Sequence, residues 1–354
     1  MPFAPTYSRA VQIVIAFLIA VAALSVPASS DELDVLKGKT IRAVIGTSAG
    51  GGTDTSGRAF LAGLGRQLPE TTIRIQNLPG GSGAKAIKEV QEAQGSLITI
   101  GIVNNGPIYA QLQSPETVPF DISTLQWIGS LSDNQRILGM RKALGAPNLE
   151  TLLKLDRQPV TPVSDVGSSG HTEALLVNAF TELRQKVVPG VEDDQRRQMM
   201  IAGDSDLFHA SYSQVVDLIE SGDLVPVLKF SKDESLEALA GIPSLPEVAR
   251  PGVPQGLLDL IEVMDKTGRL VAAAPNTDPE VVDALRVAFA AVVVDPQYER
   301  ELEALKFLNT PTSGEELAVR FKQIFDKSGG VMLHFKTYLE CGQKVSDGGP
   351  RDCE

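Results

Sequence analysis

Short apolar runs rich in β-branched residues alternate along this chain with stretches whose apolar positions recur at helical spacing. Thr40-Ile41-Arg42-Ala43-Val44-Ile45 reads as a mostly buried strand, and Phe60, Leu61, Leu64 and Leu68 then share one helical face until Pro69 stops it. Thr72 to Gln76 repeats the strand, Ala86, Ile87 and Val90 mark the helix after it, and Leu97-Ile98-Thr99-Ile100 is a third strand. Strand–helix–strand–helix–strand at this spacing predicts parallel pairing with right-handed crossovers. The loops after all three strands then leave one edge of the sheet, where open α/β sheets hold their ligands.

Those loops are distinctive. The first is Gly46-Thr47-Ser48-Ala49-Gly50-Gly51-Gly52-Thr53-Asp54, the second Asn77-Leu78-Pro79-Gly80-Gly81-Ser82-Gly83, and the third ends in Asn104-Asn105-Gly106. Two of them run into expected helix starts, whose unpaired N–H groups and dipole favour an anion. Glycine lets backbone approach a ligand with no Cβ in the way, although glycines that only make tight turns would look the same. Thr53, Asp54 or Thr55 is expected to cap the first helix.

From Trp127 the pattern changes, and Leu131 to Met140 reads as a connection into a second unit. There Pro162 to Val166 is an expected strand. The turn Gly167-Ser168-Ser169-Gly170-His171-Thr172 follows, then a helix carrying Leu175, Leu176, Ala179, Phe180 and Leu183. Further strands are expected at Lys186–Val188, Asp206–Ala210, Leu224–Phe230 and Arg269–Ala274, with a surface loop over the proline-rich 241–256. Asp278-Pro279-Glu280 starts one closing helix, and Ser313-Gly314-Glu315-Glu316 has the form of a capping box for another. These helices are expected to pack back on the first unit, so that two crossings join the lobes.

The leader changes the picture of where this happens. Arg9 is the only charge before an apolar run from Ala10 to Val26, and Val26-Pro27-Ala28 suits cleavage after Ala28. The other reading is an uncleaved anchor, but the run is short for a span of about 20 residues. Residues 1–28 are therefore expected to be a signal peptide, and the mature protein to be soluble and exported. At 354 residues the chain is long enough for two domains. Its net charge of −12 argues against nucleic acid and anionic lipid as partners. Cys341 and Cys353 are its only cysteines, and an oxidising compartment would let them pair across a glycine-rich tail or leave them as two thiols.

Enzyme motifs are not completed. Counted from Gly46, a P-loop has Gly52 where lysine belongs, and the dinucleotide fingerprint counted from Gly50 and Gly52 meets Thr55. No G-x-S-x-G elbow is completed. His171 suits a base or a capping role, His209 a satisfied core position, and His334 the surface. Asp204 and Asp206 could be an acid–base pair or a solvated loop. Asp54 could touch a ligand or cap its helix.

Ala49-Gly50-Gly51-Gly52-Thr53-Asp54-Thr55 with Arg58, then Asn77-Leu78-Pro79-Gly80-Gly81-Ser82-Gly83-Ala84, resemble the two loop motifs of the tripartite tricarboxylate transporter receptors, or Bug-type periplasmic binding proteins. Those motifs read G-G-x-x-D-x-x-A-R and E-N-x-P-G-A-G-G. Val166 to His171 is similar to the family's third ligand loop, Ala202 to Phe208 to its G-x-x-D segment, Ile219 to Leu224 to its I-x-A-G-K-L, and Ala274 to Val282 to its A-P-A-G-T-P-x-x-V-V. Two departures stand out. Ala93-Gln94-Gly95-Ser96-Leu97-Ile98 replaces P-D-G-Y-T-L-L, and the acidic Val188 to Asp194 replaces H-V-P-Y-K-G and lacks its tyrosine.

The resemblance implies an α/β, two-lobed periplasmic-binding-protein-like fold (type II, Venus flytrap) with a hinge and an interdomain cleft. Lobe 1 is expected over 29–131 plus 265–335, lobe 2 over 132–264, and a flexible tail over 336–354. The ligand is expected to be a small carboxylate, held by Thr47 to Asp54, Leu78 to Gly83, Asn104 and Asn105 on one lobe. Ser168, Ser169, Gly170, His171, Thr172 and Asp206 are expected on the other. Binding is expected to come from helix ends and loop amides rather than arginine clamps, with no cofactor, no metal and no covalent chemistry. The implied partner of this monomer is an integral-membrane permease. The rival readings are a secreted enzyme using Asp204, Asp206 or His171 in the same cleft, and a sensor subunit for a signalling receptor.

Overall fold

A computed structural model describes residues 30–326 and 328–353. The expected leader, residues 1–28, lies outside the described residues. In chain order the strands are β1 (Thr40–Ile45), β2 (Thr72–Asn77), β3 (Ile98–Val103), β4 (Gln126–Ser132), β5 (Arg136–Arg141), β6 (Val160–Pro162), β7 (Lys186–Val188), β8 (Leu207–Ser211), β9 (Leu224–Lys229), β10 (Gly268–Ala273) and β11 (Thr312–Ser313). The longer helices are α1 (Gly52–Gln67), α2 (Ala84–Gln91), α3 (Gly106–Gln113), α4 (Ser169–Phe180), α5 (Asp193–Ala202) and α6 (Tyr212–Glu220). They continue with α7 (Gln255–Asp265), α8 (Pro279–Val293), α9 (Pro296–Ala304), α10 (Gly314–Asp326) and α11 (Ser328–Ser346).

The first lobe is a six-stranded sheet in the order β11-β4-β10-β3-β1-β2. β1 lies between β2 and β3 and is parallel to both, with Ile45 opposite Asn77 on one side and Ile102 on the other. The three strands therefore end level, and the loops after them emerge side by side. β10 and β4 complete the sheet antiparallel. α1 and α8 cover one face: Phe60 and Phe289 meet with ring centroids 5.6 Å apart, and Leu61, Leu64, Val282, Leu285 and Val292 are buried around them. Full burial of such a side chain contributes about 1.5–3 kcal/mol. α10 covers the other face through Phe321, 4.7 Å from Trp127.

The second lobe departs from the first. The stretch 131–140, expected as a connection, contains the end of β4, a crossover at 133–135 and most of β5. Ile137, Leu138 and Met140 are all buried, so this stretch is core. β5 is the middle of an antiparallel β8-β5-β9 sheet, and β6 and β7 form a separate parallel pair. The expected 162–166 strand ends at Pro162, and the chain turns before the glycine loop.

Residues 336–354, expected as a flexible tail, begin inside α11. Phe335, Tyr338, Leu339, Cys341 and Val345 are buried on one side of this helix. The helix lies against α4 so closely that a Cβ at Gly342 would sit 2.0 Å from the Leu175 carbonyl oxygen. Gln158 donates to Val345 O at 3.0 Å, and Ser346 Oγ accepts from Val187 N at 3.0 Å. A disulfide joins Cys341 to Cys353. α10 belongs to the first lobe and α11 packs on the second, so the chain passes between lobes a third time, not twice.

Candidate functional site

The three parallel strand ends of the first lobe face the second lobe across a cleft of about 1040 Å³. Thr47 to Thr53, Pro79 to Ser82 and Asn104 line it from the first lobe; Ser168, Ser169 and Gly170 line it from the second. Gly50, Gly80, Gly81 and Ser82 all have positive φ, which turns the chain sharply in both loops. The first-turn amides of Gly52 and Thr53 have no intrahelical acceptor, leaving N–H groups available at this rim. The second loop reaches its helix through a 3-10 turn, Gly81–Gly83, rather than directly.

Several expected ligand contacts hold the cradle instead of lining it. Asp54 is 2% exposed and does not cap α1, whose N-cap is Gly51. It accepts from Gly50 N at 2.9 Å, Arg58 Nε at 2.9 Å and Asn77 Nδ2 at 2.8 Å. Burial pushes its carboxyl upward, but the bonds from Arg58, Asn77 and Gly50 outweigh that and hold it below the usual range. Leu78 packs on the core, and Gly83 lies under Pro107. Asn105 donates to Met264 O at 2.7 Å, tying the third loop to α7. His171 Nδ1 accepts from Gly167 N at 3.2 Å and shapes the loop before α4, while burial lowers its pKa. Thr172 is buried one residue further in.

Asp206 is a correction. It precedes β8, whose far end carries the cleft residues His209 and Ser211. Its carboxylate is held by Arg157 at 2.6 and 2.8 Å and by Val160 N at 2.9 Å. Burial raises its pKa, and these bonds more than reverse the effect. The strand direction takes it out of the cleft.

Binding was expected from helix ends and loop amides rather than arginine clamps, and arginines also stand in the cleft. Arg136, Arg196 and Arg269 line the cleft and are each less than a tenth exposed. Arg136 is paired bidentately with the buried Glu173 of α4, at 2.7 to 2.9 Å. Arg196 donates to His209 O at 3.4 Å and lies over the Phe208 ring at 4.7 Å. Arg269 donates to Ser132 Oγ at 2.6 Å and to Ser213 Oγ at 3.1 Å. Asp165, Glu192 and Asp194 are exposed on the second lobe's rim. Guanidiniums therefore stand in the cleft wall, one of them paired with Glu173, and carboxylates stand at one lip.

His209 is a cleft-wall residue. Gln185 Oε1 lies 3.0 Å from its Nε2, and Gln185 Nε2 donates to Ala174 O. The oxygen can only accept, so Nε2 carries the proton and Nδ1 is a buried acceptor without a partner among the described residues. Burial, then the charges of Arg136 and Arg196, keep this imidazole neutral well below its ordinary pKa. Among the described residues no group of histidines, cysteines and carboxylates is arranged to hold a metal ion.

No family model matches the sequence. The chain is 24% identical over 262 residues to a UPF0065 protein of Bordetella pertussis, covering 69% of this chain and 80% of that one. Its fold is that of TctC and Bug-type periplasmic binding proteins. A TctC solute-binding protein from Polaromonas superposes with a TM-score of 0.62 at 20% identity, over 83% of this chain and 98% of that one. MatC of Rhodopseudomonas palustris, solved with bound malate, superposes with a TM-score of 0.65 at 17% identity, over 85% and 99%.

Proposed function

We propose that this chain is an extracytoplasmic solute-binding protein of the tripartite tricarboxylate transporter type, which captures a small carboxylate between its lobes and delivers it to a membrane permease. One observation carries the reading. Two glycine loops and the start of α1 converge on the same cleft as three buried guanidiniums, in a protein whose net charge is −12. Hydrogen-bond donors gather here although the chain as a whole is acidic. The shared fold of MatC, solved with malate, supports a carboxylate as the guest. Closure of the lobes would exclude water and strengthen these polar contacts. Residues 1–28 are read as the export signal, and the permease as the partner implied by this type of receptor.

The enzyme reading has less support, because Asp204, Asp206 and His171 are not among the residues that line the cleft. Asp206 is locked to Arg157 away from the cleft, and His171 is committed to Gly167. The test is calorimetry and thermal shift of the purified mature protein against mono-, di- and tricarboxylates. A ligand at about 100 times its Kd stabilises its host by about 2.7 kcal/mol. No heat and no shift with any acid would refute the reading, and turnover of a bound acid would replace it with an enzyme.

A further inference from the structure

Arg269 carries a feature that loop amides do not explain. It is 6% exposed, lines the cleft, and sits on β10 just after the chain returns from the second lobe. Leu270, beside it, pairs with Val103 at the end of β3, so Arg269 stands level with the third loop at the base of the cleft. Its partners are neutral: the hydroxyls of Ser132 and Ser213, and the ring of Phe307 at 4.5 Å from the guanidinium carbon. The ionisable groups acting on it are Tyr298 and Arg136, neither of them a carboxylate. Its Nε is buried without an acceptor among the described residues. Burial pulls the guanidinium down to about 10, which leaves it charged at neutral pH.

Among the described residues this buried charge has no counter-charge, which is unfavourable and persists where something repays it. Arg136 shows the contrast: it lines the same cleft but is neutralised inside the protein by Glu173. The Arg269 backbone also holds φ at +42°, an uncommon conformation for a residue with a side chain, so the local fold sustains strain to keep it there. Phe307 covers one face of the guanidinium, and the two serines take two of its five N–H groups. The remaining donors lie in the guanidinium plane, suited to a carboxylate or another planar or tetrahedral acid. Ser132 belongs to the first lobe and Ser213 to α6 of the second, so an anion here would join the two.

We propose that Arg269 determines ligand choice by pairing with a second acidic group, so that the cleft prefers an acid carrying one anion in the glycine-loop cradle and another at the hinge. This rests on the carboxylate reading above and adds to it a charged, residue-specific contact.

Calorimetry on the mature protein with chain-matched pairs tests it: succinate against butyrate, glutarate against valerate, adipate against hexanoate. At least one diacid should bind about 30-fold or more tightly than its monoacid, and R269Q should collapse that ratio while R269K retains part of it. A diacid preference that fades as salt rises from low to high ionic strength is also expected. Equal affinity within every pair in the wild type would overturn the inference while leaving carboxylate binding intact. A ratio unchanged in R269Q would do the same. If R269Q fails to fold by circular dichroism, the wild-type pairs and R269K decide the matter. Binding of no acid in the panel would overturn the carboxylate reading, and this inference with it.

Discussion

Asn77, the last residue of β2, donates its side-chain amide to Asp54 Oδ1 at 2.8 Å and to Thr47 O at 2.9 Å. Arg58 completes the link, giving Nε to Asp54 and Nη2 to Asn77 Oδ1 at 2.7 Å. Three residues of the two loop motifs thus bind each other across neighbouring strand ends and fix the first loop against the second strand. D54A and N77A are each expected to weaken carboxylate binding about tenfold or more without touching the ligand, by loosening the Gly50 turn. Because both act in one network, the double variant should lose less than the sum, as a double-mutant cycle by calorimetry would register. Additive losses would mean that the two loops are held independently.

Gly106 opens α3 beneath the second loop. A Cβ there would sit 2.2 Å from Ser82 O, a backbone atom that cannot swing aside. G106A is expected to push the Ser82 turn into the cleft and to reduce affinity about tenfold, with about 1–3 kcal/mol of lost stability. Chemical denaturation and calorimetry on the same sample measure both, and unchanged affinity would show that the Ser82 turn does not hold the ligand.

Glu173 neutralises Arg136 inside the second lobe. E173Q keeps the shape but leaves a buried guanidinium without its counter-charge, and should cost about 3–5 kcal/mol in urea unfolding. A loss below about 1 kcal/mol would show that water or a neighbour compensates.

Asp265 fastens the two hinge crossovers. It accepts from Ser231 Oγ at 2.6 Å and from the Arg136 backbone N–H, and its own carbonyl accepts from Asn134 N at 2.8 Å. Burial raises its carboxyl to about 7 despite those bonds, with Glu173 adding to the rise. The sign follows from linkage. The folded state keeps a proton that the unfolded chain has released above about pH 4, so this group's contribution falls as pH rises toward 7 and then levels. D265N, which resembles the protonated form, should gain about 2–3 kcal/mol relative to the wild type between pH 5 and pH 8. Parallel stability profiles for the two proteins over that range would contradict it.

The cradle was legible because its chemistry is local. Glycines at 50, 80, 81 and 83 mark turns that need positive φ, and three β-rich runs at crossover spacing place those turns together. The floor was not legible. Arg136 and Arg269 stand in short strands, where an arginine reads as solvent-facing, and only the sheet order brings both to the cleft. Asp206 was misplaced because a strand's direction, invisible in its composition, decides which end meets the ligand. The closing helix left a signal that the nearby glycines obscured: Phe335, Tyr338, Leu339 and Val345 recur at helical spacing and are all buried.

That closing helix alters how the two halves can move. Phe335 stacks on Tyr109 of α3 at 6.2 Å, while three residues along Tyr338 meets Phe180 of α4 edge-on at 5.3 Å. One rigid rod therefore grips both sides of the molecule behind the mouth. A jaw with two pivots swings about the line through them; a third tether off that line restricts the swing to what its own packing can yield. Any swing of the lobes must therefore either carry the contact between Phe335 and Tyr109 along or break it.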